Sequence, residues 1–313
     1  MAAPIVASIL FLAPADLGEA VLATGALAHV VTKDDALTLV ATPDAQALFR
    51  SAPGLVNTIL ADAGIASSGA LWLKLAATPF DVAIDGRDGL IGRITARQRL
   101  ALQPSAIVQH RTEAWAQALG AKRSLAPVLW LDEAARNAAA NIAADVNALL
   151  VLAPGGASPE KKWPAERFAA VARRLHDGAL ANARVIVLGA AARDGQTTRT
   201  IASSLDADGI ASLDLGCGVD LLAAAALMER ATLCIGNDNA LTHIAAAAGA
   251  PTLTIFGPTD ERVRAPYGPR TRTIRGRSFA EVSALDGGSA MEDVSIDGVE
   301  AAALELLHAG GLR

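Results

Sequence analysis

The chain has 313 residues, a net charge of −5, 52% hydrophobic residues and only 4% aromatic ones, and alanine alone makes up about a fifth of it. The length suits two domains. The acidic balance argues against nucleic acid, which binds to basic surfaces, and no apolar run approaches the ~18–20 residues of a membrane span. Cys217 and Cys234 fit neither a disulfide framework nor a zinc spacing, which points to a reduced, cytosolic chain.

Short β-branched runs alternate with alanine-rich helical stretches, the pattern of parallel βαβ units. In the first half, strands are predicted at 5–12, 37–41, 56–60 and 80–84, with helices at 19–31 and 69–77. Residues 87–105 carry several arginines and no clear period. Helices follow at 110–119 and 133–147. Alternation resumes with strands at 149–153, 184–188, 210–215, 232–235 and 252–256. Between them lie helices at 165–176, 197–205, 221–229 and 240–248. A last helix covers 299–308, a candidate to pack back on the N-terminal domain. The reading is α/β, with two Rossmann-like doubly wound domains meeting near residue 148 and facing a central cleft. They are 1–148 and 149–313.

Three strand-to-helix loops carry the polar residues. The first runs Ala13-Pro14-Ala15-Asp16-Leu17-Gly18-Glu19 and lacks the G-x-G-x-x-G of a dinucleotide site. Asp16 and Glu19 sit where an N-cap and the third helical residue are acidic for reasons of capping and dipole alone. A carboxylate here could also serve as a general base. The second loop, Pro154 to Pro164, offers Gly155, Gly156, Ser158 and Lys161. Glycines admit backbone N–H groups to a phosphate and lysine adds charge, although two solvated lysines on an ordinary surface loop would read the same way. The third is Gly236-Asn237-Asp238-Asn239-Ala240-Leu241-Thr242-His243, followed after one more strand by Phe256-Gly257-Pro258-Thr259-Asp260. It delivers Asp238 and Asn239 to a helix N-terminus, whose free N–H groups suit an anion.

The run Asn237-Asp238-x-x-Leu241-Thr242-His243-Ile244-Ala245-Ala246-Ala247-x-Gly249-x-Pro251-Thr252, with Phe256–Asp260 and Pro266-Tyr267-Gly268, resembles the donor-site signature of glycosyltransferase family 9, the heptosyltransferases of lipopolysaccharide assembly. Lys161-x-Trp163-Pro164 with Glu166-Arg167-Phe168, Gly18-Glu19-x-x-Leu22-x-Thr24, and Met291–Ile296 with Val299 resemble the family's other segments in the expected order. The resemblance implies a GT-B fold, with acceptor bound by the N-terminal domain and nucleotide sugar by the C-terminal one. It implies inverting transfer, with no metal and no cofactor, from an ADP-linked heptose to a lipid-linked glycan hydroxyl. The setting would be the cytoplasm, at the inner face of a bacterial inner membrane, with at most peripheral membrane association.

By motif position the base falls on Glu19 rather than Asp16, and Lys161 faces the departing diphosphate. Gly155, Gly156, Ser158, Asp238, Asn239, Ala240, Leu241, Thr242, His243, Gly257, Pro258 and Thr259 would form the donor site. Three positions depart from the family's habit: Glu19 where aspartate is usual, Gly25 where proline is common, and Ala240 where glycine is common. Asp206-x-Asp208 mimics a metal motif without supporting ligands. The arginines from Arg87 to Arg99 suit either an anionic acceptor or a solvated connection. Two other readings stand beside transfer: a non-catalytic sugar-nucleotide-binding protein, and a GT-B-like sugar-nucleotide epimerase.

Overall fold

The computed structural model describes residues 7–61, 69–87, 96–102, 107–144, 146–190, 192–284 and 290–309. The chain divides into two compact units, Met1–Asp132 and Glu133–Arg313.

The first unit is built on a five-stranded, all-parallel sheet in the order β3-β2-β1-β4-β5. Its strands are β1 (Ser8–Leu12), β2 (Ala36–Ala41), β3 (Leu55–Leu60), β4 (Phe80–Asp85) and β5 (Ala96–Ala101), and its helices are α1 (Leu17–Val30), α2 (Gly69–Ala76) and α3 (Arg111–Ala118). On one face, Leu10, Leu12, Val40 and Ala83 pack with Leu71 and Leu75 of α2. Helix α1 packs against α3, and its run from Ala20 to Leu27 is buried. Gly25 has a steric reason within that run. A Cβ there would lie 2.4 Å from the carbonyl oxygen of Leu125 and 2.5 Å from that of Ala126, so only glycine lets that segment lie against the helix.

The second unit carries a six-stranded parallel sheet in the order β11-β10-β9-β6-β7-β8. Its strands are β6 (Leu149–Ala153), β7 (Arg184–Leu188), β8 (Ser212–Gly216), β9 (Leu233–Asn237), β10 (Thr252–Ile255) and β11 (Thr271–Ile274). Counted from β6, this is the doubly wound order 3-2-1-4-5-6, with its reversal between β6 and β9. The helices are α4 (Glu133–Ile142), α5 (Ala165–Asp177), α6 (Gly195–Ala207), α7 (Leu221–Met228), α8 (Ala240–Ala247), α9 (Glu261–Arg264), α10 (Phe279–Ala284) and α11 (Ile296–Ala309). Leu222 to Met228 of α7 are all buried, as expected of a helix that is apolar on every side.

Several expectations need correction. The division falls after Asp132, because α4 packs on α7 and Arg136 of α4 reaches Glu229 at 2.7 Å. The last helix packs within its own unit: Val299, Ala302, Ala303, Leu306 and Leu307 join the core of Phe168, Leu175, Val185 and Ile255. Strands β5 (ARQRLA) and β11 (TRTI) are absent from the sequence reading, since charged residues break the apolar run at one edge of each sheet. The predicted helix to Asn147 ends at Ile142. The first two residues of the predicted strand 5–12, and residues 88–95 of the arginine-rich stretch, lie outside the described residues.

Candidate active site

In the second unit, the loops after β6, β9 and β10 converge at the carboxyl edge of the sheet, where the strand order reverses and open α/β sheets receive ligands. Asp238, the residue after β9, is 8% exposed. Thr259 Oγ1 donates to its Oδ2 at 2.7 Å, Lys161 Nζ lies 3.3 Å from the same oxygen, and His243 Nε2 lies 3.8 Å from Oδ1. Burial pushes the Asp238 carboxyl up, but His243, Lys161 and the Thr259 hydroxyl outweigh it and hold the group well below the usual carboxylate range. The structure thus brings together four predicted residues, Lys161 from the loop after β6, Asp238 and His243 from the run after β9, and Thr259 from the loop after β10. His243 is buried, and its Nδ1 has no hydrogen-bond partner among the described residues.

Other predicted donor residues build this edge. Asn239 is the N-cap of α8, its side-chain oxygen accepting from Leu241 N at 2.8 Å and Thr242 N at 3.3 Å. Those two N–H groups are therefore already engaged. Asn239 Nδ2 donates to the carbonyls of Ala153 and Gly155, both at 2.9 Å. Thr242 Oγ1 donates to the carbonyls of Asn237 and Asn239, and Ala240 opens the helix. Ser158 precedes the turn that carries Lys161 and donates to Glu160. The carbonyl of Gly156 accepts from Arg193 Nε at 3.2 Å, and that of Gly257, before Pro258, accepts from Arg275.

Three residues make contacts that the sequence reading did not assign. Asn237 donates to the carbonyls of Pro154 and Gly155 and accepts from Trp163 N, tying the β9 strand end to the β6 loop. Arg275 braces the loop that holds Thr259, through the carbonyls of Gly257 and Thr259 and through Glu261 at 2.7 Å. Lys162 pairs with the buried Asp194 at 2.9 Å, so neither lysine of the loop is merely solvated. Nothing in the spacing of these residues announces the pairs, whose partners lie 14 to 83 positions away.

In the first unit, Asp16 caps α1 by accepting from Glu19 N at 2.9 Å. The Glu19 side chain, 12% exposed, lies with both oxygens 3.2 Å from Arg111 Nε. The arginine-rich stretch is partly structural. Arg99 pairs at 2.7 Å with Asp85, which is wholly buried, and Arg87 donates to the carbonyls of Ala13 and Ala61. Asp206 and Asp208 are taken by Ser212 and Arg173. Among the described residues no cluster of His, Cys, Asp and Glu could hold a metal ion, and no helix is long and apolar enough to cross a membrane.

Comparison with known proteins places the chain in a family. The family described as glycosyltransferase family 9 (heptosyltransferase) matches residues 64–293. Lipopolysaccharide heptosyltransferase 2 of Escherichia coli is 28% identical over 118 residues, which is 37% of this chain and 33% of that protein. The chain thus matches about a third of the length of this curated relative. Among solved structures, a glycosyl transferase family 9 protein of Veillonella parvula superposes with TM-score 0.80 at 19% identity, covering 99% of this chain and 100% of that one. Escherichia coli heptosyltransferase WaaC with ADP gives 0.71 at 16% identity, covering 96% and 99%. These likenesses speak for the fold, two parallel-sheet α/β domains of the GT-B kind. The match over most of the sequence is what decides the family: the chain belongs to glycosyltransferase family 9, the heptosyltransferases.

Proposed function

We propose that the chain is a glycosyltransferase that moves a heptose from ADP-heptose to a hydroxyl of a lipopolysaccharide-core-type acceptor, with inversion at the anomeric carbon. The observation that carries this reading is the cluster of Lys161, His243 and Thr259 around the ionised, nearly buried Asp238. A carboxylate held in this way accepts hydrogen bonds from sugar hydroxyls. Lys161, turned to the same site, meets the negative charge that builds up as the bond from the anomeric carbon to the diphosphate breaks. The solved relative bound to ADP supports ADP as the nucleotide.

In this reaction the acceptor oxygen forms the new bond to the anomeric carbon, ADP leaves with the old bonding pair, and Glu19 takes the hydroxyl proton. Every step so written is supplied by side chains of this chain, and no metal enters. The chain would work in the cytoplasm on an acceptor carried at the inner membrane face.

The test is calorimetric titration with ADP, ADP-heptose and other nucleotide sugars, followed by turnover of wild type and Glu19→Gln. Saturable binding of ADP-heptose with turnover lost only in Glu19→Gln is the expected result. No binding of any nucleotide sugar refutes the donor reading, and binding without turnover over a broad acceptor panel makes the protein a non-catalytic binder. Near-normal turnover by Glu19→Gln moves the base elsewhere, to Asp16 first.

A further inference from the structure

We propose that Arg111 is the positioning residue of the transfer step, fixing the Glu19 carboxylate in the orientation from which it takes the acceptor proton. The inference rests on the reading of Glu19 as base.

Glu19 is the third residue of α1 after its N-cap Asp16. A glutamate side chain has three rotatable bonds, and confining its rotamers costs up to roughly 2 kcal/mol. A proton acceptor must nevertheless sit within hydrogen-bond reach of its target. A side chain as long as Glu19 therefore needs something to hold its carboxylate in place.

Arg111 is placed to do so. It opens α3, behind the N-cap His110, whose Nδ1 accepts from Thr112 N. The guanidinium thus comes from a helix end that is itself anchored, on a helix packed against α1. Its Nε lies 3.2 Å from both Glu19 oxygens, so the donor is centred on the carboxylate and resists its rotation. Both side chains are enclosed, with exposures of 19% and 12%, where solvent screening of the pair is reduced. A contact centred on both oxygens in this way orients the carboxylate for proton transfer. Arg111 lies 92 positions from Glu19, beyond the reach of any local motif.

The experiment compares Arg111→Met, Arg111→Lys and Arg111→Ala with wild type, and Arg111→Met with Glu19→Gln singly and together. Arg111→Met is expected to lower kcat by about 10- to 100-fold, the scale of a small misplacement of a reacting group, with KM for ADP-heptose within about twofold. Arg111→Lys should recover part of the loss, and added ethylguanidine should restore turnover to Arg111→Ala. In the Glu19→Gln background, Arg111→Met should cost nothing more, because the two act as a unit. Unchanged kcat in Arg111→Met, a loss fully additive with Glu19→Gln, or a change in donor KM alone overturns the proposal. If Arg111→Met does not fold, as judged by ADP binding and thermal midpoint, Arg111→Lys decides by the same split of kcat from KM. Near-normal turnover by Glu19→Gln alone fails the base reading and is seen before Arg111 is altered. Full Glu19 dependence with indifference to Arg111 fails this inference only.

Discussion

Lys162 and Asp194 form a salt bridge of 2.9 Å in which the aspartate side chain is 1% exposed and the lysine side chain 22%. Removing one partner of such a pair leaves an uncompensated buried charge. Lys162→Met is therefore expected to cost about 3 kcal/mol, the lower end of what buried pairs lose, since the lysine keeps some contact with water. Chemical denaturation followed by circular dichroism measures it. A loss within the error of the method would mean that Asp194 is satisfied by its remaining contacts, among them Ala190 N.

Lys161, the neighbouring residue, should behave in the opposite way. Its partner Asp238 also has Thr259 and His243, so Lys161→Met is expected to change stability little and to weaken ADP binding by about 10- to 100-fold, the scale of a lost charge-assisted contact. Calorimetry on the two lysine variants side by side tells the roles apart, and equal ADP affinity in both would remove Lys161 from the donor site.

The contrast shows what the sequence could convey. Parallel strands β6, β7 and β9 are buried on both faces, so their apolar runs are continuous and were readable at once. The edge strands β5 and β11 carry arginine among short apolar residues and were not. The same holds at the site. Asp238, His243 and Thr259 stand in one compact run of motif, whereas Arg111, Asp194 and Arg275 act through pairings made only when the chain folds. Lys161 and Lys162 are adjacent letters of one type, and only the structure gives them different partners.

Acid should act through Asp238. Its carboxyl is held below the ordinary value in the folded state, so the unfolded chain takes up the proton first as pH falls. The stabilisation is complete above the unfolded value near 4 and is lost as pH drops below it toward the folded value. The urea midpoint of wild type should therefore fall more steeply between pH 5 and 3, about the carboxylate range, than that of Asp238→Asn. Parallel midpoints for the two proteins would exclude Asp238 as a source of acid sensitivity.

Gly236 sits inside β9, where a Cβ would come within 2.6 Å of Thr242 Cγ2 and 2.7 Å of the Ala153 carbonyl oxygen. Gly236→Ala must push α8 away from the strand, and is expected to cost about 1–3 kcal/mol, as overpacked cores do. It should also weaken ADP binding, because Thr242 and Asn239 start that helix. A stable variant with unchanged affinity would show that the helix shifts freely.

The amides of Asn237 and Asn239 fasten the carbonyls of Ala153, Pro154 and Gly155 to the end of β9. These bonds tie the two loops together without help from any other molecule. A donor bound at this edge, as proposed above, would find the loops already fastened and would forfeit little loop entropy on binding.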